Sequence, residues 1–359
     1  GGVNAKITDI NGGQLSNRRI NINGAMQVAQ RGTVVNAGNE YGGPDRHKLS
    51  KNEGAYTISQ ATDAPTGSGF SNSFKIDVTS AGSDSTAGNY VALEHKIEGQ
   101  DLQLLKKGTS SAEKLTVQFW VKSTVTGTYV LEVRDTDNTR VICKTYTVSS
   151  SNTWEKKTLT FDADTTGTLT NDSNESVALQ WWLLAGSTYS GGTLQTTWAA
   201  LVDANRAVGQ VNAVNSTSND IYFTGIQIEV GEIATAFEHR SVGDELAKCQ
   251  RYFRRFCEGV QYAPAPGVGY GVSSTSAYHK VDLSPEMRSV PTLADFSNLR
   301  TDDVSGGQAI TALSLVSSMS STEAVFLNAT SASGLTQYRP YALLANNTTG
   351  AKLDLSAEL

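Results

Sequence analysis

The sequence predicts a mostly β protein organised around an antiparallel sandwich, and two observations carry that prediction. The chain of 359 residues is polar but weakly charged, with 38% hydrophobic residues, 18% charged residues and 33 glycines. This composition is typical of exposed β-structure with many turns. Segments of alternating apolar and polar residues recur between polar turns, at roughly the 10–20-residue spacing of strands in a sandwich.

The alternation is clearest in four segments, which cover 115–123, 127–135, 156–164 and 220–230. In the first of them, Phe119 and Val121 point to one face and Trp120 points to the other. Gly225 interrupts the last segment, where we expect a β-bulge. No repeat of about 20–50 residues is visible, which disfavours a propeller or a solenoid.

The length of the chain suits two or three domains. The first 19 residues carry little apolar material and two Gly-Gly pairs. A Pro/Gly-rich joint after Gly259 precedes a renewed strand pattern. We therefore expect an N-terminal arm or linker over 1–19, a β-sandwich over 20–236, a linking α-helix over 237–259 and a smaller C-terminal β domain over 260–359.

The segment FEHRSVGDELAKCQRYFRRF, at 237–256, is the one stretch that predicts a helix. Ser241 and Asp244 resemble a capping box, and Gly259 can end the helix. Four apolar residues recur at heptad a and d spacing: Leu246, Cys249, Phe253 and Phe256. This stripe either covers the sandwich or packs against symmetry mates near an oligomer axis, and two heptads are too few to decide.

Charge and hydropathy limit the possible partners. A formal net charge of −6 and a pI near 5.3 argue against a nucleic-acid partner. No apolar run approaches the roughly 20 residues that span a bilayer, so we expect no membrane insertion. No signal-peptide pattern opens the chain. Cys143, Cys249 and Cys257 lack metal-ligand spacing and are interpreted as small buried hydrophobes.

The common catalytic motifs are absent from the sequence. It contains no G-x-S-x-G, P-loop, H-E-x-x-H or G-x-G-x-x-G pattern, and its 4 histidines are scattered singly. Glycosidases need two carboxyl groups facing each other across a cleft, and a chain with 35 acidic residues always offers candidates. We therefore expect no catalytic residues, no metal ligands and no enzymatic activity.

The aromatic residues give a stronger indication of function than the acidic residues do, and the function they suggest is sugar binding. Exposed aromatic faces can stack on sugar rings, although most of the five tryptophans are better explained as core. Trp181 and Trp182 point to opposite faces of one strand, so at least one of them is expected in the core. The candidate glycan-binding residues are Trp198, Tyr189 and Trp182 in the sandwich, and Tyr338 and Tyr341 in the C-terminal domain. Strand packing explains the last two equally well.

Acidic turns at 134–140 and 171–176 could hold calcium, which accepts flexible oxygen ligands. Neither turn matches the EF-hand pattern, and polar turns are the default explanation for such residues. We therefore expect no cofactor.

Several segments, in one order, resemble bacteriophage tail-fibre-type structural proteins common among marine phages. They are NRRININGAMQVAQRGT (17–33), EHKIEGQDLQLLKKGTSSAEKLTVQFWVKS (94–123), NTWEKKTLTFDADTTGT (152–168) and GIQIEVGEIATAFEHRSVGDELAKCQRYF (225–253). The resemblance implies a jelly-roll sandwich like that of carbohydrate-binding modules, then the helix and a C-terminal β domain. It also implies a homotrimer with the helix stripe at or near the threefold axis. Ala236 stands where the family usually has proline.

The function implied by the resemblance is host attachment by a structural protein of the virion. Three weak sites on each trimer would bind host-surface polysaccharide with high avidity through the C-terminal domain. The N-terminal arm would contact other virion proteins. One alternative is a purely architectural head fibre, decoration or tail-adaptor protein without a receptor. Another is an enzyme that degrades surface polysaccharide.

Overall fold

A computed structural model describes residues 17–303 and 305–359, and antiparallel β-strands dominate it. The chain divides into two compact units. The first ends at Glu245 and the second spans Leu246–Glu358, while the final residue, Leu359, groups with the first. The predicted mostly β fold class is confirmed. The predicted arm lies outside the described residues except for 17–19, where Arg19 is buried and paired with Glu245.

The first unit is a sandwich of two antiparallel sheets. Its strands are β1 (Glu40–Tyr41), β2 (Lys48–Lys51), β3 (Ala55–Ala61), β4 (Ser73–Ser80), β5 (Tyr90–Glu98), β6 (Leu115–Ser123), β7 (Gly127–Asp135), β8 (Arg140–Val148), β9 (Glu155–Phe161), β10 (Glu175–Ala185), β11 (Ala199–Ala200) and β12 (Asp220–Val230). Its short helical elements are α1 (Ser187–Ser190) and 3-10 turns at Gly99–Leu105 and Asp203–Asn205.

One sheet has seven strands in the order β1-β2-β5-β10-β7-β8-β11, and the other has five in the order β3-β4-β12-β6-β9. From β4 to β7 each successive strand lies in the opposite sheet, as expected for a jelly roll. Gly225 has a φ of +60° where the pairing of β12 with β6 shifts register, so the predicted bulge is confirmed.

The core of the sandwich lies between the inner faces of the two sheets, because alternate residues of each strand point inward. The inward row of β6 predicted from the sequence, which includes Phe119 and Val121, is buried there. The ring of Phe119 contacts those of Trp181 and Phe223, with centroids 5.8 and 6.3 Å away. Trp181 is therefore a core residue. The outer faces of the two sheets do not contribute to this core.

The helix predicted over 237–259 is wrong in extent. The structure has a shorter helix, α2 (Val242–Gln250), followed by a strand, β13 (Phe253–Phe256). The FRRF segment pairs with β21 (Lys352–Ser356), Phe253 lying opposite Ser356 and Phe256 opposite Leu353. Cross-strand pairing of aromatic residues, which favour strands, overrides the helical periodicity.

The predicted helical stripe is therefore split between two elements. Leu246 and Cys249 lie on α2, whereas Phe253 and Phe256 lie on β13. Cys249 and Phe253 are buried within the chain itself, and Phe256 packs against the core of the second unit. A continuous a/d seam is thus ruled out, while the predicted trimer stays a prediction.

The second unit combines a closed barrel, in the strand order β14-β15-β19-β18-β17-β20, with a three-stranded sheet in the order β13-β21-β16. Its remaining strands are β14 (Gly269–Gly271), β15 (Ser276–Asp282), β16 (Thr292–Ser297), β17 (Leu299–Asp303), β18 (Gly306–Leu315), β19 (Ala324–Ser331) and β20 (Pro340–Ala345), with a 3-10 turn at Ser317–Met319. A core of aliphatic side chains fills it, among them Val281, Leu299 and Leu327.

Among the described residues, no helix has the length and apolar character needed to cross a membrane. Cys143, Cys249 and Cys257 are buried, and within the described residues they form no disulfide. Burial raises the pKa of the Cys257 thiol to about 12, as expected for an unreactive core cysteine.

Candidate functional site

The candidate site is a cavity of about 290 Å3 on the outer face of the seven-stranded sheet. Strand register brings its floor together: Lys48 on β2 lies opposite Glu94 on β5, which lies opposite Gln180 on β10. Ala92 and Ala178 face the same side of the sheet, and their small side chains leave room above the floor. The volume is near the lower end of the range of about 300–1,000 Å3 for ligand pockets.

One wall of the cavity comes from residues 186–211, which are part of the segment between β10 and β12 and fold back over the outer face. Its two arms are joined by a hydrogen bond from Ala207 N to Tyr189 O, 2.8 Å long. A small apolar cluster, including Val130, Cys143 and Trp182, packs the segment against the sheet. The segment thereby holds Tyr189 and Arg206 at the edge of the cavity.

Arg206 connects this wall to the sheet. Its Nε and Nη2 donate to the two carboxylate oxygens of Glu132, each at 2.9 Å, and Nη2 also donates to Gln180 Oε1 at 2.8 Å. Glu132 is fully buried, so the bidentate pair supplies its counterion. Burial opposes the charge on Arg206, but Glu132 and Asp203 together outweigh burial, and the pKa of the guanidinium is raised.

Three aromatic residues line the cavity beside Arg206. Trp182 is only 2% exposed, donates from Nε1 to Glu132 Oε2 at 3.1 Å, and lies with its ring centroid 5.1 Å from the guanidinium carbon. It therefore supports the wall rather than offering a face to a ligand. Tyr189 and Tyr90 are half-buried, with ring centroids 5.7 Å apart in an edge-to-face arrangement. These two rings are the accessible aromatic surface of the cavity.

Polar groups without partners complete the lining. In the described part of the chain, neither the Ser50 hydroxyl nor the Lys48 ammonium has a hydrogen-bond or ion-pair partner, and both line the cavity. Gln180 and Glu94, by contrast, are joined by a 3.0 Å hydrogen bond from Gln180 Nε2. Gln180 and Glu94 thus hold each other in place on the floor of the cavity, whereas the Ser50 hydroxyl and the Lys48 ammonium can donate hydrogen bonds to a ligand.

Of the five predicted ligand residues, Tyr189 and Trp182 line this cavity, and Trp198 does not. Trp198 Nε1 donates to Asp162 O at 2.7 Å, and the Lys107 ammonium lies 5.0 Å from its ring centroid. The space next to it measures about 20 Å3, which is room for about one water molecule. Trp198 is thus placed as a structural residue.

The other two predicted residues belong to the second unit. Tyr341 is buried, and its hydroxyl accepts a hydrogen bond from Thr336 N at 2.9 Å. Tyr338 is 79% exposed and has a φ of +66°. Tyr341 lines an open groove of about 480 Å3, together with Val268 and Arg339.

The acidic turns considered for calcium use their carboxylates as turn acceptors. Asp135 accepts from Asn138, Asp137 from Thr170 and Asp172 from Asn174. Within residues 17–303 and 305–359, no group of three or more His, Cys, Asp or Glu side chains is arranged to hold a metal ion.

Sequence reasoning missed Lys48, Ser50, Tyr90 and Arg206 as site residues. The alternation within each strand could have identified their outward orientation. It could not have shown that β2, β5 and β10 are neighbours, since those strands are far apart in sequence. Arg206 carried no local signal, because its partner Glu132 lies on another element.

No protein-family model matches the chain, and no curated protein matches it. Solved structures that match part of it include a putative sugar binding protein from Bacteroides thetaiotaomicron, at 12% identity over 59% of this chain and 100% of that chain, with a TM-score of 0.34. A family 11 carbohydrate-binding module of a Clostridium thermocellum cellulosomal cellulase matches at 12% identity over 58% and 98%, with a TM-score of 0.26.

The enzymatically active domain of tailspike protein 4 from bacteriophage CBA120 also matches, at 15% identity over 55% of this chain, with a TM-score of 0.30. The match spans 21% of that tailspike chain.

Proposed function

We propose that this protein binds carbohydrate in the cavity on the outer face of the seven-stranded sheet. The observation that carries the proposal is the lining of that cavity, in which two half-buried tyrosine rings lie beside unpaired polar groups. Sugars present apolar C–H faces together with many hydroxyl donors and acceptors. Tyr90 and Tyr189 suit the first kind of contact, and Ser50 and Lys48 suit the second.

The rigidity of the site supports the same proposal. Arg206, Glu132, Gln180 and Trp182 hold one another in a hydrogen-bonded network, so the wall is formed before a ligand arrives. A preformed site loses less conformational entropy on binding, which matters for weakly binding ligands such as sugars.

We propose binding rather than cleavage. Glycoside hydrolysis uses a pair of carboxyl groups that face the substrate. Here Glu132 is enclosed by Arg206 and Trp182, and Glu94 accepts a hydrogen bond from Gln180. Both carboxylates are engaged as acceptors within the protein, which favours a supporting role for them.

We further propose, from the resemblance of most of residues 17–260 to tail-fibre-type proteins, that binding serves attachment of a phage particle to a host surface. Assembly as a homotrimer would place three cavities on one fibre. Simultaneous engagement of several weak sites raises the overall avidity without a tight single site. An architectural protein without a receptor is the alternative, and failure of every glycan to bind would favour it.

The test is a glycan microarray that carries bacterial capsular and O-chain polysaccharides together with algal polysaccharides. We expect the full chain to bind at least one of them. Tyr189→Ala and Tyr90→Ala should each weaken that binding about tenfold, since each removes an accessible ring from the cavity.

Tyr338→Ala is the matched control, because it removes an exposed ring from the second unit. Loss of binding in this variant, with binding retained in the two cavity variants, would move the site to the second unit. Absence of binding to every glycan would overturn the proposed function. Circular dichroism of all three variants checks that they are folded.

A further inference from the structure

One of the four cations that line the cavity has no ion pair. Lys96 Nζ lies 2.7 Å from Glu175 Oε2, Arg206 pairs with Glu132 and Asp203, and Arg134 Nη2 lies 3.5 Å from Glu94 Oε1. Within the described residues, Lys48 alone among these four cations has no ion-pair partner. It therefore presents an uncompensated positive charge to the cavity, in a chain whose formal net charge is −6.

Lys48 is the cation without a partner. It lies opposite Glu94 in the strand register, yet its ammonium is within 4.0 Å of no carboxylate in the described part of the chain. Burial lowers the pKa of Lys48, against the opposing effect of Glu94. A half-buried ammonium without a counterion is unfavourable, and an anionic ligand would supply the missing charge.

Arg134 also has unused donors. Its Nη2 lies 3.5 Å from Glu94 Oε1 and 3.9 Å from Glu175 Oε1, both longer than an ordinary charged hydrogen bond. Its Nε is buried and makes no hydrogen bond. The Arg134 side chain as a whole is 23% exposed. Guanidinium groups bind carboxylate and sulfate oxygens, so a ligand would pair with the accessible part of this group rather than with its buried Nε.

We propose that the cavity selects anionic saccharides, with Lys48 and Arg134 binding a carboxylate or sulfate group while the sugar ring lies against Tyr90 and Tyr189. This inference rests on the proposed function, and it narrows the ligand from carbohydrates in general to acidic ones. Ser50 lies two residues from Lys48 on β2, with its hydroxyl available to the same ligand.

The experiment compares polymers that share a backbone and differ in charge, using biolayer interferometry on the full chain. Polygalacturonate is paired with its fully methyl-esterified form, and dextran sulfate with dextran. We expect the acidic member of at least one pair to bind at least tenfold more tightly than its neutral counterpart. A difference between polygalacturonate and its ester would identify a carboxylate as the ligand group. A difference between dextran sulfate and dextran would identify a sulfate.

Two lysine variants separate a specific site from general attraction between charges. Lys48→Met should weaken binding of the acidic polymer about tenfold and leave the neutral one unchanged. Lys106→Met removes the same charge from an exposed side chain outside the cavity, and it should change binding less than twofold at about 150 mM salt.

Equal binding of neutral and acidic polymers would overturn the anionic selectivity while leaving the proposed function intact. Equal losses in Lys48→Met and Lys106→Met would also overturn it, since binding would then follow net charge. If neither polymer of either pair binds but neutral glycans on the microarray do bind, the anionic selectivity is overturned and the proposed carbohydrate binding stands. If no glycan of any kind binds, the proposed function fails as well.

Discussion

At the scale of single residues, Arg206 both covers Trp182 and neutralises Glu132. Replacing it with glutamine would leave the Glu132 carboxylate buried without its cation. Breaking a buried ion pair in this way costs about 3–5 kcal/mol. We expect Arg206→Gln to lower the free energy of unfolding by that amount, measured by urea denaturation monitored by tryptophan fluorescence.

The control is Lys106→Gln, which removes a surface ion pair with Glu113. Exposed pairs contribute about 0–1 kcal/mol, so this variant should unfold near the wild-type midpoint. Equal stability of Arg206→Gln and wild type would show that Glu132 does not depend on the guanidinium.

Two buried histidines predict how stability depends on pH. The rings of His47 and His95 lie 4.9 Å apart, and both are buried. Burial lowers the pKa of His47 to about 3 and also lowers that of His95. In the unfolded chain both titrate near pH 6.5, so the unfolded state binds more protons below that pH and acid favours it.

We therefore expect these two histidines to leave the free energy of unfolding unchanged above pH 6.5. Between about pH 6 and pH 4 they should lower it. Each histidine contributes a slope of about 1.4 kcal/mol per pH unit. His279 is also buried, and burial lowers its pKa to about 4, so it adds to the slope until the pH approaches 4. Urea midpoints measured from pH 7.5 to pH 4 test this slope. An NMR titration in which either ring of the folded protein gains its proton near pH 6 would contradict it.

Residue identity alone located part of the candidate site. The sequence placed Tyr189 and Trp182 among the ligand candidates, and both line the cavity. Trp198 was placed there as well, but an indole hydrogen bond to a backbone carbonyl fixes it elsewhere. Aromatic residues in a sandwich are ambiguous from sequence, because the same side chain suits a core, a wall or an exposed face.

At the scale of elements, the segment that precedes β1 is held against β12 by a close backbone approach at Gly24. Its carbonyl accepts a hydrogen bond from Ile226 N at 2.9 Å, and a Cβ on Gly24 would lie 1.9 Å from Ile226 O. We expect Gly24→Ala to destabilise the protein by about 2–3 kcal/mol, because the two backbones must separate. Thermal unfolding measures the change.

Gly88→Ala is the matched control for this substitution. A Cβ there meets nothing within 4 Å, and the backbone is outside the left-handed region. Its effect should stay within about 0.5 kcal/mol. Similar losses in both variants would mean that the Gly24 contact is not specific.

Helix α2 shows where local sequence stops determining structure. The capping residues were identified correctly, since Asp244 N in the first turn of α2 donates to Oγ of Ser241, the residue just before the helix, at 3.1 Å. The end was placed too late because Phe253 and Phe256 continue a helical periodicity while also suiting a strand. Pairing with β21, about 100 residues further along the chain, decides between the two.

At the scale of the whole molecule, the alternation of apolar residues predicted the mostly β class correctly, since one face of each strand must be buried. The alternation does not predict the order of the strands in the sheets. In the seven-stranded sheet β10 lies between β5 and β7, and no pattern within those segments specifies these neighbours. The site depends on the same long-range pairing, so it was only partly predictable.

The proposed trimer leads to a prediction about mass. Light scattering on the purified protein should give three times the chain mass of 38.2 kDa. A mass equal to one chain would contradict the trimer and favour a free-standing binding module. Because Phe253 is buried within the chain, a substitution there would affect folding and assembly together and could not serve as the test.

The folded-back segment 186–211 has a consequence for how this chain could change its ligand over evolution. Arg206 is constrained, because it must neutralise Glu132. Tyr189, the other residue that the segment contributes to the cavity, is half-buried, and its hydroxyl makes no hydrogen bond within the described residues. Such a position tolerates substitution better than a buried and paired one. A new specificity can therefore arise by exchanging one ring at the edge of the cavity while the sheet beneath it is inherited unchanged.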